Sequence, residues 1–225
     1  MLRHVYERAS QARYLTKIVI ATDDERIHAE ARTFGAPVRM TRSDHLSGTD
    51  RVAEVASAEN AEWVVNIQGD EPLIDPSAID AAVLSVLDEP AVPMGTLKKR
   101  ITDEADLHNP NVVKVVTGHD QQAIYFSRSP IPYVREASGV LESIPCYKHV
   151  GLYVYQRDFL LSYSDLPVGP LERAERLEQL RALENGYPIR VVETEYESLG
   201  VDTPEDLEKV TGLFEAVNST ITRNA

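Results

Sequence analysis

Hydrophobic positions along this chain come in short β-branched runs and longer stretches of helical spacing, and the two kinds take turns. Leu2, Val5, Tyr6 and Ala9 lie on one face of a helix predicted over 2–12. Lys17–Thr22 reads as a short buried strand. Thr22-Asp23-Asp24-Glu25 supplies a cap and first-turn acids for a helix to about Phe34, which Gly35 ends. A brief strand at 38–41 leads through a polar loop, 42–51, to a helix at about 50–58. A strand begins at Trp63, and Asp75-Pro76-Ser77 caps a helix to about Leu87. Strands follow at 92–98, 112–117 and 123–127, with a turn at Asn109-Pro110-Asn111. Residues 129–144 carry prolines and little periodicity, which predicts a mobile excursion. A long strand at 147–155 precedes helices at about 157–163 and 171–185, the second stopped by Gly186. The pattern closes with a strand at 189–194 and a helix that Thr203-Pro204-Glu205-Asp206 opens and that ends near Val217. The polar tail, 218–225, is expected to fray.

This alternation predicts an α/β protein with a mostly parallel sheet and helices on both faces. The strand-rich segment 112–155 breaks the alternation and predicts an antiparallel or mixed insert beside the main sheet. A doubly wound sheet normally opens on its central strand, followed by a phosphate-binding loop and then the first helix. Here the pattern opens on the helix. The expectation is a sequence truncated at its N-terminus, since a buried central strand would bring about five apolar side chains worth roughly 1.5–3 kcal/mol each.

The chain is organised around Trp63-Val64-Val65-Asn66-Ile67-Gln68-Gly69-Asp70-Glu71-Pro72. Its β-branched residues suit a strand buried on both faces. Pro72 cannot extend the ladder, so Asp70 falls just past the carboxyl end of a central strand, where ligands bind in open α/β sheets. The same residues also suit a plain surface turn.

Composition narrows the classes. The 225 residues, 43% hydrophobic and 26% charged, fit a soluble globular chain. No apolar run reaches the ~18 residues of a membrane span, so no membrane partner is expected. A net charge of −13 disfavours duplex nucleic acid, yet leaves room for a small nucleotide whose phosphates are offset by a few cations and a divalent metal. The single cysteine, Cys146, cannot form an internal disulfide and predicts a packed thiol in a reducing cytoplasm.

Four stretches then line up in order: Thr41-Arg42-x-Asp44-His45-x-Ser47-Gly48-Thr49-Asp50-Arg51, Val65 to Pro72, Lys148-His149-Val150-Gly151-Leu152-Tyr153-Val154-Tyr155, and Gly200-Val201-Asp202-Thr203-Pro204-Glu205-Asp206-Leu207. Together they resemble the 3-deoxy-D-manno-octulosonate (Kdo) cytidylyltransferases, or CMP-Kdo synthetases. Asn109-Pro110-Asn111-x-Val113-Lys114-Val115, Tyr125-Phe126-Ser127-Arg128 and Leu177-Glu178-Gln179-Leu180-Arg181 extend the likeness over essentially all of residues 1–210.

The resemblance implies a three-layer, nucleotide-diphospho-sugar-transferase-like (Rossmann-like) fold. It also implies a single domain over 1–210, with a sugar-binding and dimerisation insert at about 112–185 and a helix end and tail at 211–225. The activity implied is transfer of CMP from CTP to the anomeric 2-hydroxyl of Kdo, giving CMP-Kdo and pyrophosphate for lipopolysaccharide synthesis in the cytoplasm. Asp70 and Asp202 are implied as the catalytic pair holding Mg²⁺, on strands that can be neighbours. On its residues alone, Asp202 reads as an acid near a helix N-cap.

Ser47, Gly48, Arg51 and Gln68 are implied to read CTP, and Ser47 or Thr49 also suits a helix N-cap. Arg128, His149, Tyr153, Glu178 and Gln179 are implied to hold Kdo, with Arg128 the natural partner of its carboxylate. Glu71 is expected to support Asp70 from behind. A homodimer is implied, and Tyr147–Tyr155 suits either a strand paired across its interface or an internal strand. The family opens with a strand and a loop whose Arg and Lys grip the triphosphate, and the sequence given shows neither. Two other readings stay open: a synthetase for nonulosonic acids such as sialic acid, and a non-catalytic remnant that binds sugar but not CTP.

Overall fold

A computed structural model describes residues 1–223 apart from Asp88, Pro90, residues 136–138 and Asp202, with the backbone alone for 215–223. In chain order the elements are α1 (Leu2–Ala9), β1 (Ile20–Thr22), α2 (Glu25–Thr33), β2 (Val38–Met40), α3 (Gly48–Ser57), β3 (Trp63–Asn66), α4 (Pro76–Leu87), β4 (Met94–Arg100), α5 (Glu104–His108), β5 (Lys114–Thr117), β6 (Ala123–Ser127), α6 (Val140–Ser143), β7 (Tyr147–Gln156), α7 (Arg157–Tyr163), α8 (Pro170–Glu175), α9 (Leu180–Glu184), β8 (Ile189–Glu193) and α10 (Pro204–Arg223).

Local chemistry sets most boundaries. The Asp24 side chain accepts from the Arg26 amide at the start of α2, and Ser47 accepts from the Asp50 amide at the start of α3. Gly35 and Gly186 take positive φ, 74° and 79°, just beyond α2 and α9. Four expectations shift. The single helix expected at 171–185 is two, because Arg176 adopts a left-handed φ of 55° and turns the chain between α8 and α9. The stretch 104–108 forms a short helix capped by Asp103, and 140–143 forms another within the expected excursion. The last helix continues to Arg223 instead of ending near Val217, as Phe214, Val217 and Ile221 prolong the helical spacing.

The fold is α/β with a mixed sheet, and its insert lies inside the sheet, not beside it. Strand order is β6-β5-β7-β4-β8, with β3 also on β7. β7 runs antiparallel to β3, β4 and β5, while β4 and β8 are parallel. β3, β4, β5 and β8 therefore all point the same way, as expected of a mostly parallel sheet, with β6 and β7 of the insert reversed; the directly paired parallel neighbours are β4–β8 and the separate pair β1–β2. With partners on both sides, β7 is an internal strand, which removes the alternative of strand pairing across a dimer.

Period-two alternation along β7 feeds two cores. Val150, Leu152 and Val154 pack with α1 and α4 through Val5, Ala9, Ile79 and Val86. Tyr153 and Tyr155 face the opposite side, with Phe159, Leu160 and Tyr163 of α7 and Leu180 of α9. These are the two outer layers of a three-layer sandwich. Cys146 packs against Ile101 and Leu107, and burial pushes its thiol pKa up, as expected of a structural cysteine.

β1 and β3 are not paired with each other. A cleft of about 760 Å³ lies between them, lined by Ile18–Ala21, by Trp63–Gly69 and by apolar side chains that include Val5, Val52 and Val55. Where burial on both faces is expected of β3, Trp63, Val64 and Val65 are only half-buried, because this edge opens onto the cleft.

Helix α4 packs tightly on the sheet at Gly95 in β4. A Cβ there would lie 2.5 Å from Val86 Cγ1 and 3.0 Å from Ser85 Oγ, and Val86 has no exposed surface. Gly95→Ala is expected to destabilise the protein by about 1–3 kcal/mol through overpacking. Urea unfolding should give a lower midpoint at unchanged m-value.

Candidate active site

At the carboxyl end of β3, four segments meet around a polar pocket of about 190 Å³. Its walls are Gly48 and Thr49 from the start of α3, Asn66 and Gln68 from β3 and beyond, Tyr153 and Tyr155 from β7, and Glu178 and Gln179 from the turn between α8 and α9. The left-handed Arg176 accounts for the last pair: a continuous helix would not leave residues 177–179 as a separate turn. Ser47 Oγ and Thr49 Oγ1 lie 3.4 and 3.3 Å from the two oxygens of Glu178, donating to them and tying the α3 N-terminus to this turn.

The structure thus brings Ser47, Gly48, Gln68, Tyr153, Glu178 and Gln179, all expected at the site, to one place, and Ser47 serves as the α3 cap at the same time. Sequence reasoning did not single out Thr49, Asn66 or Tyr155 for the pocket. The signals were present. Asn66 is a buried polar residue closing a β-branched run, and Tyr155 repeats Tyr153 at the two-residue period of one strand face.

The other expected residues sit elsewhere. Arg51 lines the large cleft rather than the pocket, held by Asp23 at 3.0 Å and by Thr41 Oγ1 at 2.5 Å. Arg128 is committed to main chain: it donates to the carbonyls of Glu175 at 2.7 Å and Pro110 at 3.0 Å, while its amide donates to the Glu175 carboxylate at 2.9 Å. Binding a sugar carboxylate through Arg128 would require giving up part of that network. His149 lies behind the pocket, its ring 5.3 Å from Tyr153 and edge-on to Phe126.

Asp70 is half-buried beyond the end of β3, and among the described residues its carboxylate accepts no hydrogen bond. Asp202 lies outside the described residues. The strands expected to be neighbours are not, since β7 and β4 separate β3 from β8. The chain nevertheless returns: the Val201 amide donates to the Asp70 carbonyl at 3.0 Å.

Burial raises the pKa of Glu178, opposed by the Arg181 guanidinium and by the Thr49 hydroxyl. Arg181 is itself anchored by a bidentate pair with Glu172, at 2.6 and 2.9 Å. Burial likewise pushes the Tyr153 and Tyr155 hydroxyls well above their usual range, so both remain protonated. The pocket therefore offers neutral donors and acceptors suited to a nucleobase or a polyhydroxylated sugar, with one carboxylate, Glu178; Asp70, two residues beyond Gln68, accepts no side-chain hydrogen bond among the described residues.

The cytidylyltransferase family profile matches residues 1–197. The chain belongs to the cytidylyltransferase family. It is 74% identical over 216 residues to a 3-deoxy-manno-octulosonate cytidylyltransferase from Solibacter usitatus (strain Ellin6076), spanning 96% of this chain and 84% of that protein. A protein of the same name from Geobacter sulfurreducens is 57% identical over 217 residues, 93% of this chain and 87% of the relative. Among solved structures, the cytidylyltransferase resembles CMP:2-keto-3-deoxy-manno-octonic acid synthetase complexed with CTP, with a TM-score of 0.90 and 44% identity over 96% of this chain and 87% of the other. A 4-diphosphocytidyl-2C-methyl-D-erythritol synthase from Anaerococcus prevotii, 12% identical with a TM-score of 0.61 over 95% and 88% of the two chains, shares the fold.

His149 gives this cytidylyltransferase a pH signature. Thr96 Oγ1 lies 2.8 Å from the Leu152 carbonyl, to which it donates, and 2.9 Å from His149 Nε2. With that proton donated to a main-chain carbonyl, the Thr96 oxygen is free to accept from Nε2–H, and burial favours the neutral imidazole. Burial lowers its pKa from 6.5 to about 3. Between those values the unfolded chain binds the proton and the folded one does not. Stability therefore falls as pH drops below about 6.5, by at most about 1.4 kcal/mol per pH unit. His149→Phe should flatten that part of the profile when unfolding free energy is measured from pH 4 to pH 8.

Proposed function

We propose that the protein carries out the reaction for which its relatives are named: CMP passes from CTP to the anomeric 2-hydroxyl of Kdo, releasing pyrophosphate. What carries this reading is a single polar pocket joining Ser47-Gly48-Thr49, Gln68 and Glu178-Gln179 close to the β3 end that bears Asp70, in a chain 74% identical to a 3-deoxy-manno-octulosonate cytidylyltransferase. In the reaction, the sugar oxygen forms a bond to the α-phosphorus, the bond from that phosphorus to the bridging oxygen breaks, pyrophosphate leaves, and the hydroxyl proton goes to solvent. Such chemistry rests on in-line positioning and charge neutralisation. The amides and hydroxyls at the start of α3 and the Gln68 side chain would orient the cytosine. Tyr153, Glu178 and Gln179 would hold sugar hydroxyls.

We further propose a magnesium requirement, with Asp70 and Asp202 as protein ligands. Asp70 fits that role: it offers a hard carboxylate oxygen with no competing hydrogen bond among the described residues, and Mg²⁺ typically takes one or two carboxylates with phosphate oxygens and waters. The ion would offset charge on the phosphates as it builds up. A homodimer in the cytoplasm completes the proposal. Exposed apolar side chains on the insert, Ile124 and Tyr133, suit an interface between copies, and Cys146, buried and without a disulfide, suits a reducing compartment.

The test is pyrophosphate release with CTP, Mg²⁺ and either Kdo or sialic acid. Turnover is expected with Kdo and is expected to stop on chelation of the metal. Asp70→Asn should lower the rate at least about 10²-fold. Turnover with sialic acid alone would transfer the protein to the nonulosonate class, and near-normal turnover by the Asp70→Asn variant would remove Asp70 from the metal site.

A further inference from the structure

Residues 194–201, between β8 and α10, belong to no strand or helix among the described residues, yet they are fixed in place by alternating contacts. One set of side chains faces lysines of the sheet: Glu197 pairs with Lys148 at 2.5 Å and Lys99 at 3.0 Å. The alternate set faces inward onto Glu71. Tyr196 donates its hydroxyl to Glu71 Oε2 at 3.0 Å and Ser198 donates to Oε1 at 2.6 Å. Glu71 is 8% exposed, so both carboxylate oxygens are satisfied inside the protein. The same segment then reaches the residue before Glu71, where the Val201 amide donates to the Asp70 carbonyl and a Cβ on Gly200 would stand 3.9 Å from Asp70 Oδ2.

A buried carboxylate is costly to keep unless hydrogen-bonded, and here its two donors both come from the one irregular segment. The alternation explains why. Without a ladder to hold it, the 194–201 segment is held from one side by lysines on the sheet surface and from the other by Glu71. The lysine pairs are partly exposed and salt-screened, whereas the Glu71 contacts are buried and are the more specific restraint.

We propose that Glu71 is a positioning residue: its carboxylate clasps Tyr196 and Ser198, fixing residues 196–201 against the turn that carries Asp70 and so setting the direction in which the Asp70 carboxylate faces the metal and the triphosphate. The proposal rests on the metal reading given above for Asp70. Glu71 touches neither substrate nor metal in this arrangement, and acts through the Val201–Asp70 bond.

The experiment compares the unaltered protein with Glu71→Gln, Ser198→Ala, Tyr196→Phe and Asp70→Asn. Amide hydrogen exchange is measured without metal. Mn²⁺ binding in the presence of CTP is measured by electron paramagnetic resonance, and pyrophosphate release is followed against Mg²⁺ concentration. Glu71→Gln is expected to speed exchange of residues 196–201, the Val201 amide included, while the core of β7 keeps its protection. It should weaken Mn²⁺ binding about 10-fold and raise the Mg²⁺ needed for half-maximal rate by a similar factor, as for loss of a hydrogen bond to a charged group. The rate at saturating Mg²⁺ should stay near that of the unaltered protein. Ser198→Ala and Tyr196→Phe, each removing one donor, should shift the same quantities in the same direction by less, and they decide the matter if the Glu71→Gln variant does not fold.

Faster exchange across the whole chain, or a lowered saturated rate with unchanged Mn²⁺ affinity, would overturn the clasp as a positioning device. So would unaltered exchange at 196–201. Asp70→Asn separates the two readings. If it leaves Mn²⁺ affinity unchanged, the metal reading of Asp70 fails, and local exchange alone then decides whether Glu71 holds the segment.

Discussion

The hydrogen-bond ladder along β7 is the constraint on which the rest depends. This one strand pairs with β3 through residues 153–156, with β4 along most of its length and with β5 at its start. An internal strand must satisfy donors and acceptors on both sides, so its register fixes where β3 ends relative to β4 and β5. The period-two rule then sends Val150, Leu152 and Val154 into one core and Tyr153 and Tyr155 into the other, where the tyrosines form the floor of the pocket. A slip of one residue would exchange these faces, placing bulky hydroxyl-bearing rings in the aliphatic core and valines in the polar pocket. Fold and site are specified by one alignment.

Much of this was legible in the sequence, for identifiable reasons. Strong periodicity and strong caps marked α2, α3 and α4, and β-branched runs marked β1, β3, β5 and β8. The Gly-Asp-Glu-Pro turn placed Asp70 beyond a strand end. What the sequence hid was non-local. Nothing near residue 176 announces a left-handed break, since arginine and its neighbours favour helix; the break is fixed by the tertiary position of residues 177–179 at the pocket. The place of β7 was equally hidden: an antiparallel or mixed direction was expected of the insert, but alternation does not say which neighbours a strand takes, and a segment expected beside the main sheet lies at its centre. Arg128 illustrates the reverse case: its residue type suits a carboxylate ligand, whereas three-dimensional packing surrounds it with carbonyls. Local chemistry names what a side chain is capable of binding, and only the fold says what reaches it first.

Charge gives the site its remaining logic. A triphosphate brings several negative charges to a chain whose net charge is already −13, and here it would meet Asp70 and the raised-pKa carboxyl of Glu178. Two like charges 4 Å apart repel by about 4 kcal/mol even at an effective dielectric constant near 20. Among the described residues, the cations bordering the large cleft are already engaged, Lys17 with Glu59 and Arg51 with Asp23. The rest of the pocket is lined by glycine, hydroxyls and amides, which orient a ligand without neutralising it. An uncommitted carboxylate next to such a ligand is unfavourable by itself and becomes favourable once a divalent cation bridges it to the phosphates. On the proposed metal reading, Asp70 would be one of three parts of an arrangement of carboxylate, metal and nucleotide. That dependence would also make the affinities for metal and nucleotide rise together, because each supplies the charge that the other needs.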